Sequence, residues 1–227
     1  MNNCKLSKKE FEELFIKPLE DVFGYKVFWS GNESKSAGLK TVSGNYTGWS
    51  YTSRKDAPIV LRFSSNQLHL FKALIHEYAH SHLHKIGSKG EKLTHHIKEI
   101  EAETVAKKVM ELLNVPYTEH WYIPYHQNKC KDNDFCNYNY DDRNIIMQKM
   151  SEDIANIFSS KVNIIKSLVS ENNLKQTSYK YKVVCSCCNK EWFYKRKCKI
   201  IIENAKGYWC TICGKTKSFD KLTVEKI

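Results

Sequence analysis

At 227 residues, 41% hydrophobic and 12% aromatic, the chain has room for one domain of ordinary size plus a small appendage, and enough apolar surface for a buried core. That excludes wholesale disorder. The net charge is +11 and uneven: residues 179–227 carry twelve Lys or Arg against four Asp or Glu, a local excess of +8. No stretch approaches the ~18 apolar residues of a membrane span. The opening Met1-Asn2-Asn3-Cys4-Lys5 has no apolar run of the signal-peptide kind, so a soluble, cytoplasmic protein with no membrane partner is expected.

In chain order, residues 7–23 read as an amphipathic helix with Ser7 as its N-cap. Gly and Ser punctuate a loop or short hairpin region from Gly24 to Gly48, and Ile59-Val60-Leu61-Arg62-Phe63 is the clearest strand. Ser64-Ser65-Asn66 offers capping chemistry before a helix of about twenty residues that Gly87 ends. A second helix spans 94–113 and stops before Pro116. Residues 117–140 are irregular. From Asp141, apolar residues at helical spacing predict a third long helix, followed by a polar linker up to Ser178. The predicted organisation is a main domain over 1–140, a long helix and linker over 141–178, and a small cysteine-rich domain over 179–227. The fold class is α+β, helix-dominated with a small β-sheet.

The helix after the strand contains His76-Glu77-Tyr78-Ala79-His80, an HExxH pattern. Residues i and i+4 share a helix face, so both imidazoles reach one metal ion. Glu77, beside them, is placed to act as a general base. His69, His82 and His84 lie in the same helix, but a straight helix cannot aim three successive turns at one point, and these read as bystanders. The third ligand is expected from the helix over 94–113. There Glu101 falls on the apolar arc set by Ile97, Ala102 and Val105, whereas Glu99 lies near the arc's edge and Glu103 outside it. A carboxylate on a core-facing stripe is costly unless paired or ligating.

HEYAH followed by Glu101-Ala102-Glu103-Thr104-Val105-Ala106 resembles the ImmA/IrrE and ArdC-type metallopeptidases, over about residues 59–113. The resemblance implies a zincin-like domain, a catalytic zinc on His76, His80 and Glu101, and Glu77 as the base.

Six of the nine cysteines follow residue 184. Cys185-Ser186-Cys187-Cys188-Asn189-Lys190 and Cys210-Thr211-Ile212-Cys213-Gly214-Lys215 are two knuckle-like copies of one motif, which predicts a structural zinc on Cys185, Cys188, Cys210 and Cys213. Cys187 in place of Cys188 stays open. This segment resembles the C-terminal zinc ribbon of SprT/Spartan-type metalloproteases. Those enzymes use a third histidine after HExxH, and His95 is the residue so placed, which makes it the alternative to Glu101. The cations Lys195, Arg196, Lys197 and Lys199 beside Trp192 suit phosphate contact and base stacking.

The expected function is a zinc metallopeptidase with one catalytic and one structural zinc, acting on a DNA-associated protein such as a repressor or a DNA-crosslinked protein. A non-proteolytic metal-binding, DNA-binding regulator of IrrE-like type is the alternative. Tyr122, Tyr125, His120 and His126 are candidates for stabilising an oxyanion, and Ile59–Phe63 is expected to hold an extended peptide as an edge strand.

Overall fold

The structure is a computed structural model. It describes residues 5–43, 46–117, 122–130 and 141–168 in full, and beyond these the backbone of Tyr140 and of five strands in the C-terminal part. The chain divides into two compact units, 1–170 and 171–227.

The first unit opens with a helical stretch in three pieces: α1 (Lys8–Phe11), a π turn (Glu12–Ile16) and α2 (Lys17–Phe23). Ser7 starts it with a capping box. Its hydroxyl accepts from the Glu10 N–H, and the Glu10 carboxylate accepts from the Ser7 N–H at 2.7 Å. Pro18 has no N–H to offer the Leu14 carbonyl, and Lys161 donates to that carbonyl at 2.9 Å instead. The stretch buries Phe11, Phe15, Ile16 and Leu19 and ends at Gly24, whose φ of 76° is left-handed.

A three-stranded sheet follows, formed by β1 (Val27–Trp29), β2 (Gly48–Ser50) and β3 (Ile59–Leu61), with the short helix α3 (Asn32–Ser36) between β1 and β2. The order is β1-β3-β2, parallel for β1 and β3 and antiparallel for β2 and β3. This corrects one expectation. The Ile59–Leu61 strand is central and fully buried, so it is not an edge; β2 is. Its backbone exposes one side, while Gly48 packs against the next helix.

That helix, α4 (Gln67–Leu83), is capped by Asn66, whose side chain accepts from the His69 N–H at 3.1 Å. It is buried on nearly every face because the sheet lies on one side and α5 (His95–Leu112) on the other. Glu103 meets His76 and Glu99 meets His80, so α4 and α5 run antiparallel. The far side of α5 packs on α7 (Tyr140–Phe158). A 3₁₀ turn (Ser159–Lys161) and α8 (Val162–Ser167) continue α7, and α6 (Tyr122–Gln127) packs on α5. The third long helix belongs to the first unit. Met147, Met150, Ile154 and Phe158 enter the core of the first unit, with Phe158 edge-on to Phe15 and Phe71.

In the second unit, β4 (Tyr181–Cys185) lies between β5 (Glu191–Tyr194) and β8 (Leu222–Lys226), antiparallel to both, and β6 (Tyr208–Cys210) pairs with β7 (Lys215–Lys217). Among the described residues, no helix is long and apolar enough to cross a membrane.

Candidate metal centre

His76 and His80 sit one turn apart on α4, and their Nε2 atoms face each other at 3.1 Å. The Glu99 carboxylate on α5 spans the pair: one oxygen lies 3.3 Å from His76 Nε2, the other 3.3 Å from His80 Nε2. These three side chains offer ligand atoms that all lie within 4.8 Å of one another.

Partners behind the imidazoles decide what those Nε2 atoms carry. His76 Nδ1 lies 2.8 Å from Glu103, whose carboxylate also receives Lys72 at 3.0 Å and the Tyr117 hydroxyl at 2.5 Å. With donors on every side, Glu103 only accepts, so His76 Nδ1 carries a hydrogen, and in the neutral ring, the form that binds a metal, Nε2 presents its lone pair. On the other ligand, His80 Nδ1 meets His84 Nδ1 at 3.0 Å.

The result is a buried concentration of negative charge and lone pairs. Burial alone would depress His76, but Glu103 and Glu99 outweigh it and lift the imidazole to about 10. Burial opposes ionisation of Glu99 and Glu103, yet the imidazoles beside Glu99 hold it far below the usual carboxylate range. His76, Lys72 and Tyr117 bring Glu103 to about 2. The three groups could hold a cation. A proton joins only one pair of these groups, whereas one metal ion satisfies two imidazole lone pairs and a carboxylate oxygen together. The donor set of two nitrogens and one oxygen suits zinc.

Glu77 lines the same cavity of about 800 Å³ as His76, His80 and Glu99. Burial raises its carboxyl, while His76 and His80 pull it down and Ser50 hydrogen-bonds to it. β2 fits this closely because residue 48 is glycine: a Cβ there would lie 2.6 Å from Glu77 Cγ. Tyr122 on α6 closes another side, with its hydroxyl donating to Glu99 at 2.6 Å and its ring 5.8 Å from that of His76. Burial, then Glu99, keep this phenol protonated.

The structure brings His76, Glu77 and His80 together, and it places Glu99 rather than Glu101 or His95 beside the imidazole pair. Glu101 is fully buried, as its place on the apolar arc requires, but it does not meet the imidazole pair. Arg143 of α7 grips it with Nε at 2.8 Å and with a second guanidinium nitrogen, and His84 Nε2 lies 2.8 Å from it. His95 does not join the pair either. It is largely exposed at the cavity rim, 3.7 Å from Glu99. Glu103, expected outside the packed arc, is fully buried.

Of the other histidines, His84 has both ring nitrogens engaged by His80 and Glu101, so neither points at the centre. Burial drives its pKa down to about 4 against the pull of Glu101, leaving it neutral. His82 meets the Tyr25 hydroxyl at 3.3 Å and His69 the Thr47 hydroxyl at 3.0 Å. His126 lines the cavity and hydrogen-bonds His96 at 3.0 Å.

Of the cysteine site, Cys185 ends β4 and Cys210 ends β6. Cys188 and Cys213 lie outside the described residues, as do Lys195, Arg196, Lys197, Lys199 and His120. Trp192 is in β5, described as backbone only. No protein-family model matches the chain, and searches of curated proteins and of solved structures found no match.

Proposed function

We propose that the chain is a zinc-dependent peptidase of zincin-like architecture, its catalytic zinc held by His76, His80 and Glu99. The observation that carries this reading is the convergence of two imidazole Nε2 atoms and a carboxylate on one point, with Glu77 beside them in the cavity. When bound, zinc supplies Lewis acidity that polarises the scissile carbonyl and brings a water toward a pKa of ~7.

Every other role belongs to side chains of this protein. Glu77 takes the proton of the attacking water and delivers it to the leaving amine. Tyr122 donates its hydroxyl hydrogen to the oxygen that gains negative charge. That hydrogen is donated to Glu99 in this structure, so the contact holds the hydroxyl at the site and the hydrogen turns from Glu99 to the oxyanion as charge develops. The outer edge of β2 supports a substrate in extended form. Thr47 O accepts from Arg62 N and Tyr51 N donates to Pro58 O, so by antiparallel alternation the backbone groups of Gly48 and Ser50 face away from β3.

The substrate class we propose is a DNA-associated protein, with the cysteine-rich unit as a zinc ribbon that brings the enzyme to nucleic acid. The +8 excess over residues 179–227 and their interleaved aromatic residues support it. Glu77→Gln separates peptidase from metal-binding regulator: it should retain zinc and lose cleavage of DNA-binding proteins presented with DNA. Undiminished cleavage by that variant, or none by the zinc-loaded wild type, would sink the peptidase reading.

A further inference from the structure

Each imidazole of the metal pair is backed on its Nδ1 side, but by different means. His76 is backed directly by Glu103. His80 is backed by another imidazole, His84, and His84 by the Glu101–Arg143 pair. The direction of every hydrogen in this second chain follows from its far end. Arg143 has only donors, and it occupies both oxygens of Glu101, so Glu101 accepts from His84 and His84 Nε2 carries the hydrogen. In a neutral ring Nδ1 is then bare, so the 3.0 Å contact requires His80 Nδ1–H to donate to His84 Nδ1. His80 Nε2 is left with its lone pair aimed at His76 and Glu99.

We infer that His84, locked by Glu101 and Arg143, is a positioning residue for metal binding that fixes the tautomer and ring orientation of His80. This rests on reading His76, His80 and Glu99 as a zinc site. It also gives a purpose to a buried ion pair fixed between α5 and α7. The surroundings are shaped to hold the chain still: His84 and Arg143 are almost fully buried, and Gly90 covers them without a side chain. A Cβ on Gly90 would lie 2.8 Å from the Arg143 guanidinium and 3.0 Å from His84 Cδ2.

The experiment uses the full chain, Zn²⁺ alone as the probe, and two readouts besides activity. The first is zinc affinity by chelator competition. His84→Met, apolar and able to fill the space, should weaken the His/Glu site about 10–100-fold. His84→Gln, whose carbonyl accepts from His80 and whose amide donates to Glu101, should stay close to wild type. The second readout needs no variant. The zinc-loaded wild type should show a ¹⁵N–¹⁵N coupling between His80 Nδ1 and His84 Nδ1 across their hydrogen bond. Absence of that coupling, or folded His84→Met holding zinc as tightly as wild type, overturns the inference. A wild-type chain that takes up no zinc outside its cysteines fails differently: it removes the site itself.

Discussion

Glu101 and Glu99 are two residues apart on one helix, yet removing each should injure a different property. Glu101→Ala leaves the Arg143 guanidinium buried without its carboxylate, which costs about 3–5 kcal/mol of stability. Its zinc at the His/Glu site should weaken only through His84. Glu99→Ala removes the carboxylate shared by His76 and His80 but leaves Glu103 to pair with His76, so the fold should hold while that zinc is lost. Thermal melting and metal content of the two variants check this. Zinc lost in Glu101→Ala at an unchanged melting temperature would reverse the assignment of the third ligand. The sequence made His76, Glu77 and His80 legible because their relation is local, fixed by one helical turn. The buried arc pointed to Glu101, whereas the carboxylate beside the imidazole pair is Glu99. α5 is packed on both sides, by α4 and by α7, so carboxylates on more than one face are buried. Arg143, which claims Glu101, lies 42 residues away and left no local signal.

Elements place the groups of the candidate site as much as residue types do. β2 and α6 stand on different sides of the α4–α5 pair, β2 against Glu77 and α6 against Glu99. Both were hard to read in advance. β2 is three residues long, whereas the buried Ile59–Leu61 run was conspicuous because a central strand is apolar on both faces; that conspicuousness is itself why it is not the edge. Likewise, four residues of one irregular segment were candidate oxyanion donors until α6 put the Tyr122 hydroxyl 2.6 Å from Glu99. Tyr122→Phe keeps the ring and loses that donor. It should lower kcat about 10²–10³-fold with zinc content unchanged. An equal rise in KM with kcat intact would assign Tyr122 to substrate binding instead. On the β2 side, Gly48→Ala tests the fit to the base: the added methyl must displace Glu77 or the strand. Cleavage should fall while zinc is retained, and an unchanged kcat would show that the base does not depend on that close approach.

Over the whole molecule, charge and chemistry are divided between the two compact units. Residues 1–170 hold the His/Glu centre and a net charge of only +3, leaving +8 for 171–227. Composition and cysteine spacing made this division legible without any packing argument, since charge and thiols cluster along the chain itself. The extent of the first unit was less so, because the helix from residue 140 shows its core role only through contacts with α5 and the N-terminal helices. If the second unit carries the nucleic-acid contacts, the two activities should separate. A 1–170 fragment should bind one zinc and cleave an unstructured peptide, but lose affinity for DNA. The full chain should bind DNA in a salt-dependent way: with about four phosphate contacts, raising salt from about 50 to 200 mM weakens binding about 100-fold. Fluorescence anisotropy on a labelled duplex measures both. Equal DNA affinity of fragment and full chain, or affinity indifferent to salt, would remove nucleic acid from the role of the second unit and leave it as a surface for protein partners.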